Sequence, residues 1–125
     1  MLGNGYLRNV LPAILYVALI FYGGSVQVSM PLHDPPIPTD KVLHFLAFAG
    51  LSFVLFRAVR HEFPLESRAK QAMTSVALAV TCGALLELYQ AALPHRSAEV
   101  LDLVADALGA GLMGLTLTKA RKQRA

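Results

Sequence analysis

Four stretches of the chain run apolar for about the length of a bilayer crossing. Val10 to Val28 carries no charge, and Leu43 to Val59 has His44 and Arg57 near its ends. Ala72 to Leu93 holds Glu87 as its one charge, and Val100 to Thr118 holds Asp102 and Asp106 near its start. A helix needs roughly 20 mostly apolar residues to cross the hydrocarbon region. The pattern therefore predicts an all-α polytopic membrane protein, a bundle of four transmembrane helices. The polar segments between them are short: "MPLHDPPIPTDK", "RAVRHEFPLESRAK" and "PHRSAE". The first is rich in proline, hence extended, and Thr39 or Asp40 at its end is a candidate N-cap for the second span. Either end of that loop is expected to be able to fold over the mouth of the polar pocket predicted below.

Composition supports a membrane setting. Of 125 residues, 55% are hydrophobic and only 15% charged, with a mean hydropathy of +0.52; soluble domains average about 25% charged. The length predicts one domain, residues 1–125, ending in a basic tail at 119–125. Arg8 before an apolar run raises the possibility of a signal peptide. No small-x-small cleavage site follows, so an uncleaved first span is expected. The net charge of +3 does not indicate nucleic acid, because Lys119, Arg121, Lys122 and Arg124 form a short flank just beyond a span. Cys82 has no second cysteine to pair with and reads as a packing residue.

Charge also predicts how the chain threads. Arg8, the segment with Arg57, Arg60, Arg68 and Lys70, and the basic tail alternate with two loops poorer in net positive charge. Cytoplasmic loops are enriched in Lys and Arg, so both termini and the middle loop are expected inside. Asp40, Lys41 and His44 then open the second span from outside. Glu87 and Gln90 close the third toward the outside, Arg96 lies in the outer turn, and Asp102 and Asp106 begin the fourth.

Helical spacing gathers these groups further. Asp40 and His44 are i,i+4, Glu87 and Gln90 are i,i+3, and Glu99, Asp102 and Asp106 follow i, i+3, i+7, so each helix carries its polar residues on one face. At a rise of about 1.5 Å per residue, Glu87 and Asp106 each lie roughly 10 Å below the outer helix ends. Charged groups at bilayer depth are costly, and they normally face the bundle interior and find partners. Three such faces are expected to line one polar pocket opening outward.

Other motifs carry less. "GAGLMG" (109–114) fits G-x-G-x-x-G but lies in an apolar helix with no preceding strand, which excludes a dinucleotide loop. Its small residues, with Ala105–Gly109 and Ala110–Gly114 as i,i+4 pairs, predict close helix contact instead. The aromatic residues of "HFLAFAGLSFVLF" form a core- or lipid-facing stripe. His33, His61 and His95 have no readable role.

"DKVLHF" (40–45), "ELYQ" (87–90), and then Arg96, Asp102, Asp106 and Gly109 in that order resemble the VanZ-like family of small bacterial membrane proteins. The resemblance covers residues 38–115, and the first helix is generic. It implies a multi-pass protein of the bacterial inner membrane, in a family named for a member linked to resistance to the glycopeptide antibiotic teicoplanin. One departure stands out: the family usually has Asn where this chain has Asp106.

Three functional readings follow. A recognition protein would hold a membrane lipid, a lipid-linked envelope precursor or a glycopeptide-like ligand through Asp40, Lys41, Gln90, Arg96 and Asp106. An enzyme acting on a lipid-linked or phosphate-containing envelope substrate would use His44 or Glu87 as general base and Asp102 to orient its neighbours. A histidine titrates near neutrality, and Arg96, with Lys41, would clamp a phosphate or carboxylate. Ser97 is the nearest candidate nucleophile. No metal is assigned, although His44, Glu87, Asp102 and Asp106 are potential ligands; an oxygen-rich set of that kind suits magnesium, calcium or manganese better than zinc. No cofactor is identified. In the third reading the polar residues only bind helix to helix, but so many on one side of the bilayer exceed that need. A chain this small buries little between its helices, which leaves homo-oligomerisation open.

Overall fold

In the computed structural model, residues 3–25, 39–94 and 100–122 are described, with side chains throughout except at 39, 40 and 120–122. Among the described residues, five helical segments follow one another: α1 Asn4–Asn9, α2 Leu11–Ser25, α3 Thr39–Glu62, α4 Arg68–Ala91 and α5 Val100–Lys122. No strand occurs among the described residues. The segments provide four candidate spans, Asn4–Ser25, Lys41–Glu62, Arg68–Ala91 and Val100–Lys119. The expected all-α, four-span bundle is what the chain forms.

The first span begins earlier than its apolar run, and its interruption at Val10 has a local cause. Pro12 has no N–H to donate, and its ring crowds the carbonyl four residues back, which is that of Arg8. Arg57 on α3 donates from Nη2 to Arg8 O at 3.1 Å. A side chain from a neighbouring helix thus satisfies the acceptor that proline leaves behind. Helical bonding resumes around the break, with Val10 N donating to Tyr6 O at 2.8 Å and Ile14 N to Val10 O at 3.2 Å. At the start of α4, Ser67 is the N-cap and its hydroxyl accepts from Lys70 N at 3.1 Å. Nearby, Gln71 Nε2 donates to Phe63 O at 2.9 Å and ties the turn to the helix it precedes. The capping of α3 by Thr39 or Asp40 and the fold of the proline-rich loop lie outside the described residues.

The distribution of polarity is that of a bilayer protein. Leu46, Leu78, Leu85, Leu88, Leu101, Leu108, Leu112 and Leu115 are exposed, while Ser52, Ser75, Glu87, Gln90, Asp102 and Asp106 are buried. A soluble domain rarely buries Asp and Glu in this way. Lipid reverses the preference, because the tails accept leucine at no cost and charged groups retreat to the bundle interior.

Small residues set how closely the helices approach. A Cβ at Gly109 would collide with the Phe45 carbonyl oxygen on α3, and one at Gly114 would collide with Val76 on α4. Both residues lie in the expected small-residue pairs, and they bring α5 against two neighbours at once. Phe48, Leu51, Ala79, Leu86 and Ala110 form the central apolar cluster, with Cys82 packed at its margin. The first span packs more loosely: α1 buries no residue and α2 buries only Ala13. Its main polar tie is Tyr16, whose hydroxyl donates to Ala47 O at 2.7 Å, in space that Gly50 leaves open.

Candidate polar site

The site is built from helix ends. The buried stripe of α4 runs Gln71, Ala72, Ser75, Ala79, Gly83, Leu86, Glu87 and Gln90, steps of three and four that describe one face. On α5, Asp102, Asp106 and Ala110 repeat every fourth residue and are all buried. On α3, Lys41 and His44 precede Phe48 on the same side. The start of α3, the end of α4 and the start of α5 therefore meet at one end of the bundle, and their polar residues face inward.

The ionisable groups form a chain across α3 and α5. Lys41 Nζ lies 2.5 Å from Asp102 Oδ1. His44 sits between two carboxylates, with Nδ1 2.8 Å from Asp106 Oδ1 and Nε2 3.5 Å from Asp102 Oδ2. The first is a full hydrogen bond; the second is at the limit of one. Phe48 lies parallel to the imidazole, with an interplanar angle of 6° and centroids 6.4 Å apart. Asp102 occupies the first turn of α5, where the helix dipole favours a negative charge. Asp106 is deeper and has no exposed surface.

α4 closes the other side. Gly83 makes room for Asp106: a Cβ there would stand 2.9 Å from Asp106 Oδ2 and 3.3 Å from its Cβ. Glu87, one turn further along, is buried beside it, and His44, Glu87 and Asp106 each offer a donor atom within 4.8 Å of the other two. Asp102 is not in that group. Gln90 Nε2 donates to Gly24 O at 3.2 Å, joining the end of α2 to the site.

Lys41, His44, Glu87, Gln90, Asp102 and Asp106 thus stand at one end of the bundle. The Asp40 side chain and the whole of Arg96, Ser97 and Glu99 lie outside the described residues. Lys41 spends its charge on Asp102 in this arrangement, which weakens it as a clamp for an anion. Sequence reasoning overlooked Gly83 and Gly24, one giving space and the other a carbonyl. Gly83 had a signal in its place four residues before Glu87 on the same stripe; Gly24 had none. The opposite end is basic, as charge alternation predicts. There Arg68 Nε donates to Leu117 O at 2.6 Å, and the Arg60 and Arg68 guanidinium groups stand over the Phe56 ring.

The sequence profile of the VanZ/LLP1 family matches residues 8–121. No curated protein and no solved structure matches the chain. The profile spans nearly the whole sequence, including all of α2, and the chain belongs to the VanZ family. With its four candidate spans, it is a VanZ-like multi-pass membrane protein.

Proposed function

We propose that the chain is a recognition protein of the bacterial inner membrane, whose polar cluster opens to the exterior as a pocket for the head group of a lipid-linked envelope precursor or a glycopeptide-like ligand. The observation that carries this reading is the convergence of Lys41, His44, Glu87, Asp102 and Asp106 from three helices at one buried end of a bundle with an apolar exterior. Packing alone does not call for three carboxylates there.

The chemistry narrows the ligand. Glu87, Asp102, Asp106 and the Gln90 amide oxygen are acceptors, against the donors of Lys41, the imidazole and the Gln90 amide nitrogen. An acceptor-rich site matches a donor-rich head group such as sugar hydroxyls, an ammonium or peptide N–H groups. Arg96, between α4 and α5 in sequence, would hold a phosphate or carboxylate of the same ligand. Alternating basic segments support a threading with both termini cytoplasmic and the cluster on the outer side.

One observation favours a second reading. An imidazole held by a carboxylate at 2.8 Å, as His44 is by Asp106, is the arrangement of an oriented general base. On that reading the site would turn over a lipid-linked or phosphate-containing envelope substrate.

Native mass spectrometry of the protein extracted from its membrane separates these readings. Recognition predicts a retained lipid-linked species that Asp102→Asn reduces at least tenfold, with no converted product on incubation. A product that His44→Ala abolishes would move the assignment to catalysis. Loss of folded yield in both variants, with no retained species in the wild type, would leave only helix packing.

A further inference from the structure

We infer that His44, Glu87 and Asp106 form a binding site for a first-row divalent transition-metal ion, held between α3, α4 and α5. This goes beyond the recognition reading and does not depend on it. The three side chains come from different helices and lie far apart in sequence, yet their donor atoms fall within 4.8 Å of one another. Metal–nitrogen and metal–oxygen bonds to such ions are about 2.0–2.2 Å. Two ligands at right angles then stand about 3 Å apart, and two at the tetrahedral angle about 3.4 Å apart. His44 Nδ1 and Asp106 Oδ1, at 2.8 Å, already have nearly the spacing of adjacent ligands. Glu87 supplies the third donor, within 4.8 Å of the other two.

A separate observation points to the same centre. Gln90 is 1% exposed, and its Oε1 has no hydrogen-bond partner among the described residues. Its amide nitrogen is fixed on Gly24 O, and it lies one turn beyond Glu87 on the same buried stripe. A buried amide oxygen without a hydrogen bond is costly, and its place one turn beyond Glu87 on the same stripe makes it the candidate fourth donor.

The surroundings fit coordination as well. With Nδ1 on the metal, Nε2–H of His44 faces Asp102 Oδ2 at 3.5 Å. A carboxylate behind the far ring nitrogen is the usual outer partner of a ligating histidine, fixing the tautomer and raising its basicity. Lys41 in turn holds Asp102. One imidazole with two carboxylates favours manganese, iron, cobalt or zinc over magnesium and calcium, which prefer oxygen alone. The sequence-based expectation, from an oxygen-rich set of His44, Glu87, Asp102 and Asp106, is magnesium, calcium or manganese. With Asp102 outside the group the imidazole is one donor in three, and the choice shifts toward the transition metals. A dication between Glu87 and Asp106 also lowers the cost of keeping both carboxylates inside the bundle.

The test uses the full chain purified in detergent, stripped with EDTA and dialysed against Zn2+, Mn2+ or Co2+. The expected result is about one ion per chain by elemental analysis, visible Co2+ absorption bands, and a Tm that rises with added metal. Glu87→Gln and Asp106→Asn, each close in shape to the native residue, should weaken binding at least tenfold and remove the rise in Tm. Glu66→Gln, at the opposite end, should leave both unchanged. Absence of stoichiometric uptake by the wild type, or uptake kept within threefold by both site variants, would overturn the assignment. Should a variant fail to fold, the wild-type Co2+ spectrum decides: no bands, no site.

Discussion

Single residues at this site gain their meaning from pairing, and pairing was the part least legible in the sequence. Spacing alone placed Glu87 with Gln90 and Asp102 with Asp106 on common faces, and the structure keeps both pairs buried. It did not reveal that Lys41 meets Asp102 or that His44 bridges two carboxylates. Those partners are 58 to 62 residues apart, and only the crossing of α3 with α5 joins them. His44→Ala removes the imidazole from two buried carboxylates. Its cost should lie between the roughly 0.6 kcal/mol average of an interhelical hydrogen bond in a membrane and the about 3–5 kcal/mol of a severed buried ion pair. Asp106→Asn keeps an acceptor toward His44 and should cost less. Equilibrium unfolding in mixed micelles measures both, and equal losses would contradict the charged pairing described here.

Elements are governed by where glycine and proline fall. The apolar runs located α3, α4 and α5 to within a few residues because charge is excluded from lipid so strongly. They missed the start of the first span because "NGYLRN" is not apolar; what ties it to α3 is Arg57, which covers the carbonyl that Pro12 cannot serve. The small residues of α5 were legible as a contact face. Which helix each one meets, Gly109 facing α3 and Gly114 facing α4, was not. Gly109→Ala drives a methyl group into the Phe45 carbonyl, so the two helices must separate, at a cost of about 1–3 kcal/mol. Gly111→Ala has nothing within 4 Å to meet and should be neutral or slightly stabilising, since alanine is the better helix former. A Tm comparison of the two variants in one detergent checks the assignment of faces; a reversed order would overturn it.

For the whole molecule, the alternation of basic and acidic ends makes a claim about sidedness. In a Cys82→Ala background, Leu65→Cys sits in the exposed basic turn and Ala92→Cys sits at the end of α4 beside the polar cluster. A membrane-impermeant maleimide should label Ala92→Cys in intact cells and Leu65→Cys only after permeabilisation; the opposite result would turn the cluster inward. The all-α, four-span form was open to reading from hydropathy alone, whereas the proposed ligand was not, because a head group would be recognised by an arrangement of donors and acceptors that no single helix contains. The central claim is that three helices share one ligand site at that outer end. It is tested most directly by the affinity of the purified protein, in nanodiscs, for a lipid-linked envelope precursor, measured for His44→Ala, Glu87→Gln, Asp106→Asn and their pairwise combinations. One shared site predicts a loss of at least tenfold from each single change and pairwise losses smaller than the product of the singles. Affinity left unchanged by the variants of any one helix, or losses that simply multiply, would contradict it.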